Sequence, residues 1–145
     1  MRRVGAPLGA ACAGLATGSP GSVPAMASTL VVKVTHSFED PERAHIGCNV
    51  AAVALASGVT VHLFLAHEGV HLARPGVPAQ LAVPDAPPLD DLLDAVYAGG
   101  SVTVCTPCAT RRGLAEADFR DGTVFAGAAR FVELATSEGA QALVY

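Results

Sequence analysis

Cys105-Thr106-Pro107-Cys108 is the segment best suited to chemistry in this chain. It follows Ser101–Cys105, which predicts a buried strand, and it opens a helix with Thr106 as N-cap and Pro107 at the first helical position. Unpaired N–H groups at a helix start favour a nearby sulfur as thiolate, the form that attacks other sulfurs. In open parallel sheets, sites form at the carboxyl ends of strands, where Cys105 falls. Cys108, three residues on, comes within disulfide reach of it. The structural alternative is that one or both cysteines are small buried fillers. Arg111 and Arg112 follow, suited to attracting anionic thiol donors, or else standing as solvated charges at a helix C-terminus.

His67-Glu68-Gly69-Val70-His71 matches the H-E-x-x-H pattern of zinc hydrolases. That pattern needs a helix, which sets both histidines on one face and lets the glutamate activate a metal-bound water. Here it starts directly after a strand-like run, contains Gly69 and leads to Pro75, and no third ligand stands at a conventional spacing. A turn with exposed or pocket-lining histidines is expected, and no metal. A structural zinc site on Cys105 and Cys108 lacks its second cysteine pair. Cys48 falls on the inward stripe of a helix with Ala44 and Ala51 and is assigned to the core. Cys12 lies in an N-terminal stretch of different composition.

The elements that must position these residues read as alternating strands and helices. Thr29–Thr35 is a β-branched strand. Asp40 as N-cap and Pro41 in the first turn then open a helix over Glu42–Ser57, with Ala44, Ile46, Val50, Val53 and Ala54 at helical spacing before Gly58. Val59–Ala66 is nearly all apolar, as a strand covered on both faces should be. Five prolines across residues 74–88 make that span a surface loop. Leu89–Tyr97 is a short helix with Asp90, Asp91 and Asp94 on its wet side. Beyond Cys105 come one or two helical turns over Pro107–Arg112 closed by Gly113, a short strand Thr123–Phe125, a helix Ala128–Ser137 and a last strand Gln141–Tyr145. The fold class is therefore α/β: a single three-layer domain with a mostly parallel β-sheet covered by helices on both faces.

The chain has 145 residues, 51% of them hydrophobic and 15% charged. That suffices for one packed core and excludes a disordered chain. From Ser28 onward seven basic residues face thirteen acidic ones, with one lysine and no tryptophan, which excludes a nucleic-acid binder. The mean hydropathy of +0.44 comes from Ala and Val. No window of about 18 apolar residues free of charges and turn formers exists, so no membrane span is expected. Residues 1–28 are rich in Gly, Ala, Pro and Ser and basic at the start. They are taken as a disordered N-terminal extension or a misassigned start, with Met26 the true first residue. A weak signal peptide with an A-x-A site around Met26 is the alternative. With Met26 first, the protein is cytoplasmic, where cysteines persist as thiols.

Val102-Thr103-Val104-Cys105 followed by Arg111-Arg112-Gly113 resembles the strand, active cysteine and Arg-Gly turn of the DsrE/DsrF/TusD-like sulfur-relay family. Asp40-Pro41-Glu42-Arg43 entering the first helix and Glu68-Gly69-Val70 after the second strand resemble it too, and the likeness spans Thr29 to Tyr145. The resemblance implies a homotrimeric or homohexameric carrier that needs no cofactor. It would accept sulfane sulfur as a persulfide on Cys105 and pass it to a partner protein or small thiol, with Glu68, Gly69, Arg111 and Arg112 around the substrate. Cys108 departs from single-cysteine carriers: a second thiol three residues on can attack a persulfide and release sulfide, leaving a disulfide. The alternatives are a non-catalytic oligomeric binding module of the same fold and a C-x-x-C thiol-disulfide oxidoreductase. A thioredoxin places such a motif after an early strand, whereas here it is late.

Overall fold

The computed structural model describes residues 29–145; the expectations for residues 1–28, Cys12 included, lie outside the described residues. Nine elements alternate along the chain: β1 (Thr29–Val34), α1 (Pro41–Ala56), β2 (Thr60–Leu65), α2 (Leu89–Gly99), β3 (Ser101–Cys105), α3 (Thr106–Arg111), β4 (Val124–Ala126), α4 (Ala128–Ala135) and β5 (Ala140–Val144). Short 3-10 turns occupy His67–Ala73, Pro78–Gln80 and Glu116–Asp118. The second of these lies inside the proline-rich span, where the sequence predicts only loop.

All five strands are parallel, in the order β4-β3-β2-β1-β5. Because successive side chains point to opposite faces, the register puts Val32, Leu63 and Val102 in one row and Val34, Leu65 and Val104 near it on the same face. That face is packed by α1 and α2. A Cβ on Gly47 of α1 would lie 2.5 Å from the Val34 Cγ2, so only glycine lets the helix sit this close. The opposite face carries Lys33 and Phe64, covered by Phe131 of α4. The Phe64 and Phe131 ring centroids are 5.4 Å apart, and the Lys33 ammonium stands 4.9 Å above the Phe131 ring. Strand β2 sits deepest: Leu63 and Leu65 are wholly buried and Phe64 nearly so.

The inward stripe of α1 is Ala44, Gly47, Cys48 and Ala51, at helical spacing, with His45 beside it. Ile46 and Val53, expected at the core, are 44% and 57% exposed. Small residues won that face because the helix packs tightly on β1, which displaces the larger ones outward. His45 is buried and hydrogen-bonds from Nε2 to the Pro87 carbonyl at 2.8 Å, pinning the proline-rich loop to α1.

Strand β5 completes the sheet from the far end of the chain. The Tyr145 N–H reaches the Lys33 carbonyl at 2.8 Å, and the Tyr145 carbonyl accepts from the Thr35 N–H at 2.9 Å. No helix among the described residues is long and apolar enough to cross a membrane.

Candidate functional site

Val102 and Val104 anchor β3 in the core and deliver Cys105 to its carboxyl end. Here the structure shifts the expected register by one: Cys105, not Thr106, is the N-cap of α3, and Thr106 and Pro107 fill the first two helical positions. The short strand-to-helix junction leaves no residue between the two elements. Cys108 is then the third helical residue, the one whose N–H an N-cap side chain normally meets.

The two sulfurs lie 2.7 Å apart, and both thiols are free. Cys105 is partly exposed and Cys108 is buried. Partial burial, then the adjacent Cys108 thiol, push the Cys105 pKa up, against the Cys108 N–H and the Arg111 charge, which pull it down; the net direction is upward. The helix start therefore does not make Cys105 a resting thiolate, because burial outweighs it. Cys48 stands in the core as expected, its thiol pushed up to about 12 by burial.

The neighbouring arginines divide. Arg111 is exposed, with its charge within range of Cys105. Arg112 is the C-cap of α3 before Gly113, whose φ of +68° ends the helix. Its Nε and Nη2 both donate to Glu68 Oε1, and its Nη1 donates to the Cys108 carbonyl at 3.0 Å. Arg112 thus ties the dithiol helix to the 3-10 turn after β2. The Arg112 hydrogen bond holds the Glu68 carboxyl below the usual glutamate range.

Glu68 Oε2 in turn faces His71 Nε2 at 3.5 Å, while His71 Nδ1 faces Arg74 Nη1 at 3.4 Å. A carboxylate only accepts and a guanidinium only donates, so His71 carries its proton on Nε2. Burial holds its pKa below the ordinary value. The H-E-x-x-H run is therefore a bracing turn. It is a 3-10 turn rather than an α-helix, His67 enters it at φ 50°, and no group of three metal-ligating side chains converges among the described residues. Gly69 is buried at the close approach to β1: its N–H meets the Thr35 carbonyl at 3.2 Å, and a Cβ there would lie 2.4 Å from the Val34 carbonyl oxygen.

A cleft of about 310 Å³ opens over the carboxyl ends of β1 and β2, lined by Thr35, His36, Glu39, His67, Glu68 and Arg112. Glu68 and Arg112, expected around the substrate, both line this cleft, whereas Cys105, Cys108, Gly69 and Arg111 do not. Thr35, His36 and Glu39 were not singled out; the signal was their place just after a buried strand, where parallel sheets build sites.

The DsrE/DsrF-like family model matches residues 29–144. An uncharacterised protein of Methanopyrus kandleri is 33% identical over 99 residues, which cover 67% of this chain and 78% of that one. An uncharacterised protein of Methanocaldococcus jannaschii is 35% identical over 96 residues, covering 66% and 81%. Among solved structures, the YchN protein of E. coli has a TM-score of 0.66 at 16% identity, covering 81% of this chain and 99% of its own. A Methanobacterium thermoautotrophicum protein of unknown function, MTH1491, has a TM-score of 0.60 at 15% identity, covering 81% and 98%. Both share the fold. With its parallel sheet, its cysteine at the end of β3 and this match over nearly all of the described residues, the chain belongs to the DsrE/DsrF-like family.

Proposed function

We propose that this protein is a sulfur carrier in which Cys105 accepts sulfane sulfur as a persulfide and passes it to a partner thiol. The observation that carries this is a partly exposed Cys105 capping a helix at the carboxyl end of β3, with the Cys108 sulfur 2.7 Å away. In loading, the Cys105 thiolate attacks the outer sulfur of a donor; the new S–S bond forms on Cys105 and the donor leaves as a thiol. In unloading, an acceptor thiolate attacks that same outer sulfur and Cys105 departs as thiolate. Arg111, exposed and with its charge near Cys105, is suited to draw in anionic donors. Arg112 and Glu68 position the helix that bears both sulfurs.

The short Sγ–Sγ distance favours a second outcome at the same site. Cys108 can attack the Cys105 sulfur of the persulfide, expelling hydrosulfide and closing a Cys105–Cys108 disulfide, which a small dithiol or thiol then reduces. The protein would work in the reducing cytoplasm. Association into trimers or hexamers is supported by exposed apolar side chains, Phe38, Ile46, Val53, Val132 and Val144 among them.

Intact mass after incubation with thiosulfate or a persulfide donor tests the carrier role. One reducible sulfur, roughly 32 Da, should appear on Cys105 and vanish in Cys105→Ser. An adduct that survives in that folded variant sinks the assignment. No adduct on the folded, reduced protein points to a binding module instead.

A further inference from the structure

The cleft over the carboxyl ends of β1 and β2 carries groups of both signs, and their hydrogen bonds show what is left for a ligand. A guanidinium has five N–H donors. Three of those on Arg112 are engaged, by Glu68 and the Cys108 carbonyl. Two remain without a partner among the described residues, one on each terminal nitrogen, and can be given to a carboxylate.

Glu39 lines the same cleft. Its Oε2 accepts the Ser37 N–H at 3.0 Å, and its other oxygen has no partner among the described residues. The Thr35 hydroxyl gives its one proton to the Tyr145 carbonyl at 2.8 Å. It therefore accepts from His36 Nδ1 at 3.0 Å, while the Nε2 lone pair faces Arg43. Glu68 and Arg112 cancel each other, and Glu39 leaves the cleft with an anionic side. A polyanion is disfavoured there. A ligand with one ammonium and one carboxylate a few bonds apart is matched at both ends.

We propose that this cleft binds the α-amino-acid end of a low-molecular-weight persulfide of the cysteine type, its ammonium on Glu39 and its carboxylate on the two free Arg112 N–H groups. The proposal rests on the carrier function and names its donor class. The cleft volume of about 310 Å³ suits a ligand of amino-acid to small-peptide size. Arg112 also donates to the Cys108 carbonyl, so the cleft adjoins the helix that bears the dithiol. Cys105 takes the outer sulfur from R–S–S–H: the Cys105–sulfur bond forms, the R–S–S bond breaks, and the proton lost by Cys105 ends on the departing R–S–H. No outside electron donor is needed.

The test uses S-methylcysteine, which binds but cannot transfer sulfur, and its N-acetyl and methyl-ester derivatives, each lacking one charge. By NMR, S-methylcysteine should shift Thr35, His36, Glu39 and His67, and both derivatives should bind more weakly. Glu39→Gln should weaken S-methylcysteine about tenfold, the size of one charge-assisted hydrogen bond, and leave the N-acetyl derivative unaffected. The same variant should slow loading of Cys105 by cysteine persulfide about tenfold and should not slow loading by inorganic polysulfide, whose repulsion by Glu39 it removes. Equal effects on both donors, or no shifts in the cleft, overturn the proposal. S-methylcysteine bound in the cleft with neither donor loading Cys105 would sustain the cleft and reject the carrier function.

Discussion

At Cys105 two influences compete over one sulfur. Burial and the second thiol hold the proton on, while the Cys108 N–H and Arg111 pull it off, and the first pair prevails. Alkylation of Cys105 by iodoacetamide should therefore be slow at neutral pH and rise steeply only in the alkaline range above the ordinary thiol value. Cys108→Ser removes a partner that raises the pKa, so the alkylation midpoint should move to lower pH; an unmoved midpoint would show that the sulfurs are not coupled. The same substitution should lengthen the persulfide's lifetime, read by intact mass against time, because the internal attack is gone. Unchanged decay would return Cys108 to packing. The sequence made the pair of cysteines legible through its spacing. It did not show the sign of the pKa shift, because burial at Cys105 depends on how far β3 carries it to the sheet's edge.

The 3-10 turn after β2 and helix α3 act as one braced unit, joined by Glu68 and Arg112 and pressed onto β1 through Gly69. Gly69→Ala forces a Cβ against the Val34 carbonyl, which is backbone and cannot swing away. A loss of about 1–3 kcal/mol in denaturant unfolding is expected. Wild-type stability there would mean that the turn yields. The brace also has a pH dependence of definite sign. The folded Glu68 pKa is depressed, so its stabilising contribution is present above the unfolded value and drains away as pH falls through the folded one. Glu68→Gln should flatten the acid side of the stability curve below the ordinary glutamate range, by a small amount because the side chain is 43% exposed. An unaltered acid limb would place the pair among inconsequential surface contacts. Element types were readable from hydrophobic period and turn residues. The outward turn of Ile46 and Val53 and the place of Gly47 on the inner face were not, since they turn on how closely α1 approaches the sheet.

At the scale of the whole molecule, the unburied apolar side chains on α1, α4 and β5 argue for self-association. Sedimentation at micromolar concentration should give a multiple of the 14.6 kDa chain mass. Val144→Glu or Val53→Glu should lower that multiple if the corresponding face is used. A monomer in the wild type would remove the oligomer from the proposal. The parallel three-layer design itself was legible, because apolar strands separated by helical segments admit few other arrangements.

The pairing of β1 with β5 has a consequence in time. Thr35 and Tyr145 are hydrogen-bonded across 110 residues, and Thr35 helps line the cleft. On the ribosome β1, β2 and β3 emerge while one edge of β1 still waits for β5. Until β5 follows, the nascent protein carries a bare, apolar strand edge, a state open to mispairing and to chaperone capture. Its final collapse is set by a long loop closure rather than by local helix formation.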